Sequence, residues 1–393
     1  MDYQYFGAIS IRNLFYRRYK EKVLIYTLVL IATAAYVLFI IILIIGWIRT
    51  PATNLLPASG SFATIVVPVR NESSHLTRLI NSVLKGSTEP SQYEILIVND
   101  HSEDDTLELA EQLADKNSNI LVLDLPEQMH GKKAAINHAV QQANGELIVC
   151  TDGDGIVPKD WLNYHMSSFE QGAELSFGPV AFLDENHSRF TELLNLELSA
   201  LVSIGAATLS LGKPSMINGC NYSFSKTAFL EVDGFLGNEN LPTGDDEFLL
   251  RKVFKKYPGK IRFIKQDGAQ VLSQSPLAVT EFYHQRKRWA SKWRFHTDGF
   301  SLAMPAILFT CYALWLLLVL QSMATNNYSP LWVLGVKFLT DFVFLNIARL
   351  GQNAGISIVN FFLLQIIYPF YVVFFGVASN FGKYSWRERT YKI

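Results

Sequence analysis

The chain has 393 residues, with 34 Lys and Arg against 35 Asp and Glu and a formal net charge of −1. That balance lacks the basic excess of a general nucleic-acid binder. Hydrophobic residues make up 49% and charged residues 18%, a high ratio for a soluble enzyme, and the apolar excess lies at the two ends. The cysteines Cys150, Cys220 and Cys311 stand far apart, with no CxxC or Cys/His spacing. They give no support to a disulfide framework or a structural zinc site and fit a reducing compartment.

In chain order, residues 1–22 form a basic segment with Arg12, Arg17, Arg18, Lys20 and Lys22. Val23 to Ile48 follows without a charge. This run exceeds the ~20 apolar residues that cross a bilayer and the ~7–15-residue core of a cleaved signal peptide. A transmembrane helix is predicted over 23–48.

From Ser61 to about Leu272 short β-rich runs alternate with helical stretches. Ala63–Pro68, Glu94–Val98, Ile120–Leu123 and Glu146–Cys150 read as strands; Ser73–Lys85, Asp105–Ala114 and Lys132–Ala143 read as helices. Such alternation predicts an α/β domain over 61–272 with a mixed, mostly parallel sheet. Ligands of such sheets bind beyond the carboxyl ends of the strands. The residues there are Pro68-Val69-Arg70-Asn71-Glu72, Asn99-Asp100-His101-Ser102 and Thr151-Asp152-Gly153-Asp154-Gly155. No GxGxxG or P-loop lysine motif accompanies them, which removes the main support for dinucleotide and simple NTPase chemistry.

Asp152 and Asp154 flank a glycine, and their hard oxygens suit Mg²⁺ or Mn²⁺, which take one or two carboxylates plus substrate phosphates. Asp-x-Asp also occurs in ordinary turns; its place after a buried strand favours the ligand reading. Gly131-Lys132-Lys133 opens a helix whose N-terminus favours a phosphate-bearing ligand, although solvated surface lysines would look the same. Thr243-Gly244-Asp245-Asp246-Glu247 opens another helix. Capping needs only one of the three acids, so a general base that deprotonates an acceptor hydroxyl is expected among them.

An amphipathic interfacial helix is predicted over 276–297. It carries Gln285-Arg286-Lys287-Arg288-Trp289, with cations for headgroups and indoles for the boundary; Arg288 can also contact a diphosphate and Trp289 a sugar face. About three membrane segments follow over 302–379: Leu302–Gln321, Leu331–Leu350 and Ile356–Ala378. Lys337 and Asp341 share one helical face and are expected to pair. Residues 380–393 read as a basic tail. The cations before the second apolar run, at the N-terminus and in the tail each ask for the cytosolic side. One crossing plus three cannot satisfy all of them. Either one run is re-entrant or interfacial, or the charge bias is broken.

Together these motifs resemble glycosyltransferase family 2, in its membrane-integrated branch with the synthases of cellulose, chitin, hyaluronan and poly-N-acetylglucosamine. Pro68 to Glu72 resembles the Pro-x-Tyr-Asn-Glu motif with Arg70 replacing tyrosine. Asn99 to Ser102 resembles Asp-Asp-x-Ser with Asn99 replacing the first acid. Gly131 to Asn137 resembles Gly-Lys-x-x-Ala-Leu-Asn, Asp152 and Asp154 match Asp-x-Asp, Asp245-Asp246 stands for the Glu-Asp pair, and Gln285, Arg288 and Trp289 match Gln-x-x-Arg-Trp. Asn218-Gly219-Cys220-Asn221 matches an acceptor-proximal element loosely.

The resemblance implies a GT-A-like nucleotide-sugar-binding domain flanked by transmembrane helices. It implies a nucleotide-sugar pocket of Pro68, Arg70, Glu72, Asp100, Lys132 and Asp152, a metal (Mg²⁺ or Mn²⁺) on Asp154, and Asp246 as base. Asp245, Gln285, Arg288 and Trp289 would face the acceptor or diphosphate. The implied reaction is inverting transfer from a UDP- or GDP-linked sugar to a growing polysaccharide or lipid-linked acceptor, without a covalent intermediate. Single-sugar transfer to a lipid is the rival within enzymes; a non-catalytic membrane subunit that binds nucleotide sugar is the rival outside them. The expected setting is the plasma (inner) membrane with the catalytic domain cytosolic, and no nucleic-acid partner.

Overall fold

The computed structural model describes residues 3–56, 60–239, 241, 244–276, 278–295, 299–348, 356–386 and 389–392, with backbone alone for 3–19, 21 and 386. A long helix, α1 (Tyr3–Arg49), leads into the α/β domain. There β1 (Ala63–Val69), α2 (Leu76–Leu84), β2 (Tyr93–Asn99), α3 (Thr106–Lys116), β3 (Ile120–Asp124), α4 (Lys132–Gln142) and β4 (Leu147–Cys150) alternate as expected. The domain continues through α5 (Trp161–Glu170), β5 (Leu175–Phe177), β6 (Val180–Phe182), α6 (Arg189–Ser210), β7 (Tyr222–Ser225) and α7 (Lys226–Glu231). It closes with α8 (Asp245–Lys256), β8 (Ile261–Phe263), β9 (Val271–Ser273) and α9 (Val279–Ser291). Then come α10 (Gly299–Thr325), α11 (Trp332–Ala348), α12 (Ile358–Ala378), and the strands β10 (Lys383–Trp386) and β11 (Arg389–Lys392).

The main sheet has seven strands in the order β3-β2-β1-β4-β7-β5-β8. β1 pairs in parallel with both β2 and β4, and β7 enters antiparallel between β4 and β5. β6 and β9 form a separate parallel pair. Side chains alternate between two faces, as a strand requires. Ile65, Val67, Ile95, Ile97 and Val149 pack under α2, α3 and α5. Val66, Leu96, Val98 and Ile148 face α4 and α8, and their core runs on into α6 and the apolar helices α1, α10 and α11. One sheet face therefore anchors the domain to the membrane helices.

Five segments are long and apolar enough to cross a membrane: Lys22–Arg49, Arg189–Ser210, Gly299–Thr325, Ser329–Ala348 and Ile358–Ala378. These are the helices of a membrane protein, and Ile31, Leu320, Leu339, Ile366 and Phe370 are exposed on them as lipid-facing residues would be. Sequence reading passed over α6, which joins β6 to β7 inside the α/β domain and packs along α1. Trp47, Tyr36 and Tyr26 of α1 contact Ile347, Asp341 and Trp332 of α11, in that order, so the two helices run parallel. α10 runs the opposite way, with Trp315 on Thr33. Helix α12 starts at Asn360 beside Glu192 of α6 and ends with Tyr371 and Phe375 against Phe282 of α9. Both of its ends thus lie on the side of the α/β domain.

Three boundaries differ from expectation. The first helix begins at Tyr3, well before residue 23. The interfacial helix is α9 followed by a separate 3₁₀ turn, Lys292–Phe295. The basic tail is an antiparallel hairpin, β10–β11. Thr243, Leu350 and Arg387 lie outside the described residues.

Candidate active site

β2, β1 and β4 lie side by side, so their carboxyl ends open onto one edge. Pro68 sits in β1 opposite Val98. Just beyond, the Arg70 guanidinium donates to the carbonyls of Asp100 (3.0 Å) and His101 (2.6 Å) and pairs with Glu103 at 2.8 Å. Arg70 thus braces the loop after β2. Glu72 is 2% exposed; its backbone N–H donates to Thr106 Oγ1 at 2.7 Å and its carboxylate lies 3.3 Å from His75.

Asp100 is buried and receives the Gly131 N–H at 2.9 Å. Its two oxygens also accept from Arg389 of the terminal hairpin, Oδ2 from Nη1 at 2.8 Å and Oδ1 from Nη2 at 3.1 Å. Burial alone would raise the carboxyl pKa, but Arg389, His101 and the Gly131 N–H outweigh it and hold it below the ordinary value. The partner supplied by Arg389, 289 positions away in sequence, had no sequence signal.

A second group gathers where β4, α4 and α8 meet. Lys132 Nζ lies 2.6 Å from Asp152 Oδ1, 3.2 Å from Asp245 Oδ2 and 2.7 Å from the Gly219 carbonyl. Gly219 marks the centre: a Cβ there would stand 3.0 Å from Lys132 Nζ, 3.2 Å from Asp245 Oδ2 and 3.4 Å from Asp246 Oδ2. Gly153 gives the turn after β4 its close approach, because a Cβ would meet Val69 at 2.9 Å and Glu72 at 3.0 Å. Gly244, at φ +81°, turns the chain into α8 so that Asp245 and Asp246 point inward. Lys132 thus bridges the carboxylates of Asp152 and Asp245.

The two neighbouring acids of α8 are driven apart. Burial raises Asp245, but Lys132 and Lys292 overcome that and hold it below the ordinary value. Burial raises Asp246 as well, reinforced by Asp245 and Glu247, and Lys292 only partly offsets the rise. Adjacent carboxyls separated in this way suit one to a structural ion pair and the other to proton transfer. Lys292 Nζ lies 3.4 Å from Asp246 Oδ1. Sequence reading had counted Lys292 only as a topological charge.

Helix α9 carries the remaining predicted residues. Gln285 Oε1 is buried with no hydrogen-bond partner among the described residues. Arg288 is half-buried; burial lowers its pKa, and Tyr384 with Asp245, Asp152 and Asp246 draws it back up. Arg286 forms a buried pair with Glu197 at 2.7 Å, and its guanidinium covers one face of Trp289 at 4.4 Å. Trp289 also packs against the apolar core on its flank.

The residues present fit a divalent cation. Asp154 lies close enough to raise the Asp152 pKa, after burial and against Lys132, and accepts from Ser273 Oγ at 3.4 Å. Hard oxygens of this kind match Mg²⁺ or Mn²⁺. Asp100, His101 and His130 also bring three ligand atoms within 4.8 Å of one another, a second group able to hold an ion. Arg389 engages both oxygens of Asp100 there, which disfavours another cation.

Two family models match this chain: "Glycosyl transferase family 2" over residues 64–221 and "Glycosyl transferase family group 2" over 147–375, more than half of its length. The beta-monoglucosyldiacylglycerol synthase of Trichormus variabilis is 25% identical over 233 residues, 58% of this chain and 48% of that protein. The poly-beta-1,6-N-acetyl-D-glucosamine synthase of Staphylococcus aureus is 30% identical over 173 residues, 43% of this chain and 40% of that protein. The chain thus spans about half, or less, of these curated relatives. Among solved structures, the mannosyltransferase PcManGT of Pyrobaculum calidifontis, in complex with GDP-Man and Mn²⁺, aligns with a TM-score of 0.56 at 17% identity. It covers 91% of this chain and 97% of that one, a likeness of fold.

Proposed function

Since the chain belongs to glycosyltransferase family 2, we propose that it moves a single sugar from a nucleoside-diphosphate donor to a lipid acceptor at the membrane surface, with inversion. The observation carrying this reading is the convergence of Asp152, Asp245 and Asp246 on Lys132 and Gly219, one ion pair away from the segment that enters α10.

Asp100 would accept from the nucleobase of a UDP- or GDP-linked sugar, with Glu72 and the Arg70-braced loop after Pro68 shaping the pocket. Arg288 and Gln285 would face the diphosphate, and Trp289 the sugar. Asp154 would hold Mg²⁺ or Mn²⁺, whose charge stabilises the departing diphosphate. Asp245 keeps Lys132 beside Asp152, where its ammonium can meet donor oxygens. Asp246 takes the proton of the acceptor hydroxyl as that oxygen bonds to the anomeric carbon. The bond from that carbon to the diphosphate oxygen breaks on the opposite face, and the nucleoside diphosphate leaves with the electron pair. No covalent sugar–enzyme intermediate is required.

The preference for a lipid acceptor comes from the helix bundle. Tyr36, Tyr312, Trp315, Lys337 and Asp341 interlock at its centre, where a polymer conduit would need open space. The glucosyldiacylglycerol synthase resemblance supports this choice. Retention of Gln285, Arg288 and Trp289 supports the polymer reading, which product length separates. With both ends of α12 on the catalytic side, α1, α10 and α11 are the crossings and α12 is re-entrant or interfacial. The basic α9 junction and the hairpin then share the catalytic side, taken as the cytosolic face of the plasma (inner) membrane.

In membranes supplied with nucleotide sugars and Mg²⁺ or Mn²⁺, Asp246→Asn is expected to reduce transfer by about 10²-fold or more while UDP or GDP binding persists. Mass spectrometry of the wild-type product should show a lipid carrying one added sugar. A ladder of additions would replace this reading with polymer synthesis, and undiminished transfer by Asp246→Asn would remove Asp246 from the mechanism.

A further inference from the structure

The cations around Asp246 are not equivalent. Lys132 is committed to Asp152, Asp245 and the Gly219 carbonyl. Lys133 donates to the carbonyls of Asn238 and Leu241. Arg251, on the same helix, pairs with Glu247. Lys292 comes from a different element, the 3₁₀ turn between α9 and α10, and its ammonium reaches Asp246 Oδ1 at 3.4 Å. That same oxygen accepts the Glu247 N–H at 2.7 Å. With Oδ1 held from two directions, Oδ2 is left toward Gly219, where the Lys132 cluster gathers.

We propose that Lys292 is a positioning residue for the base, its ammonium fixing the Asp246 carboxylate with Oδ2 turned to the acceptor. The inference rests on the reading of Asp246 as base.

The groups facing Asp246 set the electrostatics. Asp245 and Glu247 flank it on α8, and Lys132 and Lys133 approach from α4. Arg288 of α9, Cys220 in the turn before β7 and Tyr222 of β7 also lie within its field. Burial and the two acidic neighbours favour the protonated form, and Lys292 is the largest opposing influence. A protonated Asp246 cannot take a proton, so loss of Lys292 should confine activity to higher pH. Because the turn adjoins α10, the base is also oriented from the membrane-proximal element past which a lipid acceptor would arrive.

The experiment uses the full-length enzyme in native membranes or nanodiscs. Transfer is measured from pH 5 to 9 for wild type, Lys292→Met, Lys292→Arg and Asp246→Asn, with UDP and GDP binding measured alongside. For Lys292→Met the acid limb of kcat should move up by about one pH unit or more, with a loss of about tenfold or more at pH 7. Much of that loss should be recovered as the pH rises, nucleotide affinity should stay within about twofold, and Lys292→Arg should keep the wild-type limb. A pH-independent loss, or an unchanged profile, would overturn the inference. Lys292→Gln serves the same test if Lys292→Met does not fold. If Asp246→Asn retains full activity, the reading of the site fails; if it is inactive while Lys292→Met keeps the wild-type profile, only this inference fails.

Discussion

Gly219 shows how tightly side chains control this site. Its missing Cβ would lie 3.0 Å from a lysine nitrogen pinned by two carboxylates, and 3.4 Å from Asp246 Oδ2. Free lysine would swing away, but here any yielding moves Lys132, Asp245 or Asp246. Gly219→Ala is therefore expected to lower kcat by about tenfold to a hundredfold, since displacements of ~1 Å are costly at reacting groups. The fold should barely change, because the disturbed groups belong to the site; thermal unfolding in detergent within a few degrees of wild type checks this. Asp152 and Asp154 stood out in the sequence because they follow a buried strand, and Asp245 and Asp246 because capping needs only one of three acids; the structure gathers Asp152, Asp245 and Asp246 around Lys132 and Gly219. Lys292 did not stand out, because a cation near an apolar run reads first as a topology signal, and only the folded chain brings α8 to it.

The secondary-structure elements divide in the same way. Strands β1, β2 and β4 were legible because strands buried on both faces are written as continuous apolar runs, and β3, an edge strand with Leu121 exposed, was legible as a short apolar run between helical stretches. The terminal hairpin was not, although Lys383-Tyr384-Ser385-Trp386 alternates polar and aromatic residues. Its charges pointed to a tail. In the structure Tyr384 is buried, its ring lies 5.6 Å from that of Tyr391, and the Ser385 N–H donates to His284 of α9. The hairpin thereby delivers Arg389 to Asp100. A nucleobase that uses this carboxylate must take the place of two charge-assisted hydrogen bonds. Arg389→Ala should therefore tighten UDP or GDP binding by a few-fold to about tenfold, measured by titration calorimetry. Weaker binding would mean that Arg389 itself holds the nucleotide. The ion pair also gives Asp100 a folded pKa below its unfolded value, so its stabilising contribution is complete above about pH 4 and fades as the pH falls through the folded pKa.

Across the whole molecule, hydropathy identified apolar runs but could not say on which side each emerges. Length and composition are the same for a crossing helix and for one that returns. The deciding facts are long-range contacts: Trp47 on Ile347 and Tyr26 on Trp332 make α11 parallel to α1, while Glu192 and Phe282 claim opposite ends of α12. The buried pair Lys337–Asp341, 2.9 Å apart and bonded to Tyr36 and Gln365, ties α1, α11 and α12 together at the bundle's centre. This arrangement puts the start of the first membrane span and the α10–α11 connection on the face away from the catalytic domain, and the hairpin on the catalytic face. Single cysteines at exposed positions test it directly. In oriented vesicles, Lys20→Cys and Asn327→Cys should react with an impermeant maleimide from one side and Lys392→Cys from the other. The native cysteines are buried, so background labelling should be low. If Lys392→Cys reacted on the same side as Asn327→Cys, α12 would be a full crossing, and the hairpin could not lie on Asp100. The contacts that bring Arg389 into the donor pocket and those that turn α12 back therefore stand or fall together.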